Sequence, residues 1–169
     1  KRRTFLQSMA AVHAALAGPL WAKTPESPDL VQHDLRLDGD KRIARRALLL
    51  VPAHAVSKNE LPVLILLHGL GETGNEELGV HAWGERYGLV KSYERLRRPP
   101  VARTLSKAKY LADEHLARIN AELGEHPFGG MVLVCPVTPN PQKSGMPAGR
   151  ALDLYADWIE GTLLPAVHE

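Results

Sequence analysis

The stretch from Leu61 to Gly74, LPVLILLHGLGETG, constrains this chain more than any other. Pro62 opens it, and Val63, Leu64, Ile65, Leu66 and Leu67 follow as an unbroken apolar run. Such a run is too short for a helix and reads as a strand buried on both faces, because neither face meets water. It stops at His68, and Gly69, Gly71 and Gly74 then turn the chain. A strand that closes on a glycine-rich turn and feeds a helix presents bare backbone N–H groups at a helix N-terminus. That is a place for negative charge, either a phosphate or an oxyanion formed during a reaction.

The flanking sequence supplies the rest of a sheet. Val31 to Leu37 alternates partly and reads as an edge strand, and Asp38-Gly39-Asp40 is a turn signal. Arg45 to Val51 gives a second strand, so the two suggest an antiparallel hairpin. Ser57 to Glu60 is a polar loop. Asn75-Glu76-Glu77 looks like a helix start, with an Asn cap and acids where the helix dipole favours them. Gly84 and Gly88 weaken that helical segment, and Pro99-Pro100 ends it. Leu105 to Leu123 carries apolar residues along one helical face, with Gly124 as its C-cap. Met131 to Cys135 is a second fully apolar strand, stopped by Pro136. A loop runs from Val137 to Gly149, and Ala151 to Val167 reads as a last helix. Two apolar strands separated by helices imply a parallel sheet covered on both faces. The expected class is therefore α/β, mostly parallel with an antiparallel N-terminal hairpin edge.

The 169 residues, 44% of them hydrophobic, suit one domain with a real core. A single cysteine, Cys135, rules out an internal disulfide. Residues 1–22 read as an export signal rather than fold. Lys1-Arg2-Arg3 is a basic head, Met9 to Leu16 a weakly apolar middle, and Ala15-Leu16-Ala17 or Ala22 a small-residue end. Arg2-Arg3-Thr4-Phe5-Leu6 resembles a twin-arginine signal, with Lys1 and Gln7 departing from the usual residues. The apolar part is too short to span a bilayer. Removing residues 1–22 takes the net charge from +2 to −1, which gives no electrostatic case for nucleic acid or anionic lipid. Residues 23–30 form a linker, leaving 31–169 as the folded part.

Two chemistries compete for the glycine turn. Gly69-x-Gly71-x-x-Gly74 fits a dinucleotide fingerprint, with Glu85 or Glu94 as the acid further on. Against it, the motif follows the third strand rather than the first, and neither acid ends an apolar run. The other chemistry is an oxyanion hole, in which prearranged N–H groups meet the charge that develops during acyl transfer.

The hairpin, apolar strand, His-Gly-x-Gly-Glu-x-Gly turn, helical segment, strand ending in Pro, loop and helix together resemble the N-terminal half of an α/β-hydrolase. The likeness is to the esterase and peptidase-like members related to polyhydroxybutyrate depolymerases and dienelactone hydrolases, and it covers about Val31 to Glu169. LPVLILLHGLGETG matches their third strand and oxyanion turn, and HPFGGMVLVCPVTPN, from His126 to Asn140, their fourth strand and following loop. The resemblance implies that the N–H of Leu70 is an oxyanion donor, with Gly71 assisting. His68, Gly69 and Gly74 would support the turn, and His68 would brace it rather than act as base. A hydrogen-bonded core histidine is the plain alternative, and the two nearly coincide. The family's serine sits in Gly-x-Ser-x-Gly, with its acid and histidine later in the chain. No such motif occurs here, so nucleophile, acid and base are not in this chain. The resemblance implies a carboxylic ester as substrate, such as a polyester or an aryl ester, and no cofactor. The chain's partner would be the missing C-terminal half, or another copy at the open sheet edge. A non-catalytic interaction fragment is the alternative outside enzymes.

Other groups carry less. Ser144 lies in a loop with no strand leading into it, and Cys135 reads as a buried apolar cysteine. His81, His115 and His126 lack metal-ligand spacing. Arg95, Arg97, Arg98, Arg103, Lys107 and Lys109 read as a solvated basic face, and Asp153 and Asp157 as solvent-facing.

Overall fold

The computed structural model describes residues 29–54, 60–103 and 111–168. The export segment, most of the linker, Ser57, and Lys107 and Lys109 of the basic cluster lie outside the described residues.

A mixed sheet of four strands forms the centre, β1 (Leu30–Arg36), β2 (Arg46–Pro52), β3 (Val63–Ile65) and β4 (Val132–Pro136), in the spatial order β1-β2-β4-β3. β1 and β2 are the expected antiparallel hairpin, with Gln32 opposite Leu50 and Asp34 opposite Leu48. The sheet is otherwise not mostly parallel, as the run of apolar strands suggested. Only β3 and β4 pair in parallel, with Leu64 opposite Leu133, while β2 pairs antiparallel with β4, Leu48 opposite Cys135. The crossover from β3 returns β4 between β2 and β3, so the hairpin's second strand gains an antiparallel neighbour.

The apolar run at Leu61–Leu67 is also less buried than its sequence suggests. β3 covers only Val63–Ile65 and lies at the sheet edge, where Leu64 is 43% and Leu67 48% exposed. The doubly covered strands are β2 and β4. Ala47, Leu49 and Val134 pack on one face with Ala151, Tyr155, Trp158 and Leu163. Leu48, Leu50, Leu133 and Cys135 pack on the other with Val80, Val90 and Tyr93. Strand periodicity of two sends alternate β2 residues to opposite layers. Leu30, assigned above to a linker, begins β1 and is buried in the second cluster.

Helix α1 (Glu76–Glu85) begins at Asn75, whose Oδ1 accepts the N–H of Leu78 at 3.0 Å. The chain breaks at Gly88, whose φ of +69° places it in the left-handed region that favours glycine, and α2 (Leu89–Arg97) follows. Of the predicted Leu105–Leu123 helix, the described part is α3 (Asp113–Glu125), half-buried along Leu116, Ile119 and Leu123. Gly124 lies inside α3 and His126 is the cap, so the expected glycine stop is not used. The last helix is α4 (Ala148–Trp158), a wide π turn (Ile159–Leu163) and α5 (Leu164–His168). Pro165 cannot donate to the carbonyl of Gly161, and widening the turn just before it keeps the helix going.

Candidate functional site

The parallel pair sets the site. β3 and β4 point their C-terminal ends the same way, and in open α/β sheets the crevice beyond those ends is where ligands bind. His68 leaves β3 and Thr138 leaves β4. Nε2 of His68 accepts the backbone N–H of Thr138 at 2.8 Å, and Nδ1 lies 3.0 Å from the carbonyl oxygen of Gly69. An amide N–H can only donate, so Nε2 is the bare nitrogen and Nδ1–H donates to Gly69. The ring is 5% exposed, and both of its nitrogens are taken up inside the chain.

Gly69 then caps a single 3-10 turn, Leu70–Glu72. The first bond of this turn runs from the N–H of Glu72 to the carbonyl of Gly69, and Thr73 N–H and Oγ1–H both return to the carbonyl of Leu70. The N–H groups of Leu70 and Gly71 precede that ladder, and among the described residues neither meets an acceptor. The side chain of Leu70 is 70% exposed. A Cβ on Gly71 or Gly74 would meet nothing within 4 Å, so the space beside the turn is open.

Several residues that hold this turn carried no role in the sequence reading. Glu72 is only 5% exposed, and its carboxylate accepts from Arg86 of α1's C-cap at 2.8 Å. The same carboxylate sits 3.4 Å from where a Cβ on Gly69 would be, and the Tyr87 hydroxyl 3.7 Å from it. Burial, then the hydrogen bond to Glu72, raise the pKa of Tyr87. An acid between turn glycines was the available signal. Gly79 is the second: a Cβ there would stand 2.6 Å from Nε2 of His68, so α1 approaches the ring only through a glycine. Nothing local in the sequence marks that contact.

The remaining candidates separate from the turn. Glu85 ends α1 and Glu94 lies within α2, so neither stands at a strand end where a dinucleotide's ribose would need it. Ser144 is buried with its Oγ donating to the carbonyl of Pro141 at 2.7 Å, and acts as a turn staple. Cys135 is buried in β4, and burial pushes its thiol up to about 12. In the basic cluster, Arg97 donates to the carbonyl of Phe128, Arg98 pairs with Asp29 and Arg103 with Asp113. Asp153 and Asp157 are exposed. Among the described residues no group of three or more His, Cys, Asp or Glu side chains could hold a metal ion, and no helix is long and apolar enough to cross a membrane.

Comparison with family models, curated proteins and solved structures returns no match for this chain.

Proposed function

We propose that this chain supplies the oxyanion-hole half of a carboxylic ester hydrolase of the serine α/β-hydrolase type. The observation that carries this reading is the pair of N–H groups at Leu70 and Gly71, without an acceptor among the described residues and held beyond β3 by His68 and Glu72. Backbone donors fixed before reaction stabilise a developing oxyanion without reorganising, and one such donor is worth about 10²–10³ in rate. The parallel β3–β4 pair, with helices on both faces of the sheet, supports the same reading. Among the described residues Ser144 is tied within its turn and Cys135 is sealed in the core, so this reading takes the nucleophile, acid and base from a Gly-x-Ser-x-Gly segment and later residues that this sequence does not contain. The chain alone therefore hydrolyses esters little above background. The basic head and small-residue end of residues 1–22 support export to the periplasm or beyond, and changing Arg2 and Arg3 to Lys would block it.

The test has two parts. The first reads the coding sequence that follows Glu169: a Gly-x-Ser-x-Gly motif in phase with a fifth strand is expected. The second assays p-nitrophenyl esters with the present chain and with one carrying that motif. Turnover only in the longer chain supports the proposal. Thermal stabilisation of the present chain by NAD, with no such motif downstream, overturns it.

A further inference from the structure

A cleft of about 320 Å³ opens beyond the C-terminal end of β4, alongside the candidate oxyanion turn. Thr73 and Gly74 form one wall, the β1–β2 loop from Lys41 to Arg45 a second, and Val137 to Asn140 the floor. That floor is fixed at two points: Val137 N–H donates to the carbonyl of Arg46 at 3.0 Å, and Thr138 N–H to His68. Four cations line the cleft, Lys41, Arg42, Arg45 and Lys143, against a single acid, Glu76.

The two arginines are already committed. Arg45 grips both oxygens of Glu76 at 3.2 and 3.1 Å, and Arg42 binds both oxygens of Asp40 through its Nε at 3.1 and 3.0 Å. Lys41 and Lys143 form no ion pair among the described residues. Lys143 is held at the rim by a closed turn. Its N–H donates to the carbonyl of Asn140, and the buried Ser144 staples the next residue to Pro141. The cleft therefore carries uncompensated positive charge along a concave surface, which focuses the field on a small anion more than a flat surface does. No aromatic side chain lines it, so a base has nothing to stack on, whereas Ile43, Val137 and Pro139 offer an aliphatic wall.

We propose that this cleft binds a carboxylate carried on a short aliphatic stem, with the ammonium groups of Lys41 and Lys143 as its counter-charges. Binding rests on the cleft alone. That the carboxylate belongs to the ester substrate, held in the cleft while its reacting carbonyl lies at Leu70 and Gly71, rests on the hydrolase reading. The enzyme would then prefer esters of dicarboxylic acids or hydroxy acids that keep one free carboxylate.

The test is calorimetric titration of the full chain at constant ionic strength with succinate, succinamide and inorganic phosphate. Saturable succinate binding is expected, with none for the uncharged succinamide. The Lys41→Gln/Lys143→Gln variant should bind succinate about tenfold or more weakly, since a charge-assisted hydrogen bond is lost at each position. Lys91→Gln, which removes one such charge at an exposed position of α2, should bind as the parent does. Both lysines are exposed, and unchanged circular dichroism would show that the variant folds. Absence of saturable succinate binding overturns the proposal, as does equal weakening by Lys91→Gln. Phosphate binding without succinate binding overturns the carboxylate assignment. None of these readings involves turnover, so the cleft and the hydrolase reading can fail independently.

Discussion

Nε2 of His68 accepts the backbone N–H of Thr138 at 2.8 Å, across 70 residues of sequence. This one bond joins the segment leaving β3 to the segment leaving β4, and so fixes the turn against the cleft floor. Replacing His68 by Ala strands a half-buried N–H and should cost about 1–3 kcal/mol in urea unfolding. Gly79 gives a sharper check. Ala is the better helix former by about 1 kcal/mol, yet its Cβ would strike Nε2 of His68 at 2.6 Å. Gly79→Ala should therefore destabilise the parent chain and stabilise the His68→Ala variant. The same sign in both backgrounds would show that the ring is not the obstacle.

Leu70 separates backbone from side chain. Its N–H has no partner among the described residues, it opens the 3-10 turn, and Gly69 before it is extended at φ −78°, ψ 173°. A proline is tolerated at the first position of such a turn and after an extended residue. Leu70→Pro should therefore unfold within about 1 kcal/mol of the parent. In a chain that carries the nucleophile, it should lose about 10²–10³ in kcat, whereas Leu70→Ala keeps most of it. Equal kcat for the Pro and Ala variants would remove the N–H of Leu70 from the reaction.

The Glu72–Arg86 pair should show strong coupling in a double-mutant cycle. Arg86→Met leaves a carboxylate that is almost wholly buried without its cation, and Arg86 itself is half exposed, so the loss should be about 1–3 kcal/mol. Glu72→Gln in that background should recover part of it, because the uncompensated charge is gone. Additive effects in chemical denaturation would contradict the coupling.

Acid stability should depend on Arg46. Its guanidinium is buried between Asp34 of β1 and Glu77 of α1, at 2.7 and 2.6 Å. The hydrogen bond to Arg46 is the main reason both carboxyls lie below their ordinary values, and His81 adds to the same field. A carboxyl lowered by folding contributes stability that is complete above its unfolded pKa of about 4 and is lost as pH falls through the folded value. Unfolding free energy should fall between about pH 5 and the acid limit, and Arg46→Met should flatten that slope. Glu85, raised by burial, works the other way. An unchanged acid slope in Arg46→Met would rule the pair out as its source.

The Cys135 thiol should not react with a disulfide reagent at pH 8 in the native chain. It is buried and held mostly protonated by desolvation, up to about 12. Reaction should appear only with unfolding, and fast labelling of the native chain would mean that the β2–β4 core opens.

What the sequence determined by itself is local. The first two strands, the turn at Gly69–Gly74, the Asn75 cap and the last helix each follow from residues within a few positions of one another. Tertiary structure decided the rest. An apolar run does not say which strand lies beside it, so the exposure of Leu64 at the edge and the antiparallel β2–β4 pair were not readable from composition or period. Nor were the contacts of Gly79 with His68, Arg46 with Glu77, and Arg45 with Glu76 around the cleft. Each depends on where α1 docks on the sheet. That docking is set by the summed burial of Val80, Val90 and their neighbours, a free energy belonging to the whole layer rather than to any segment.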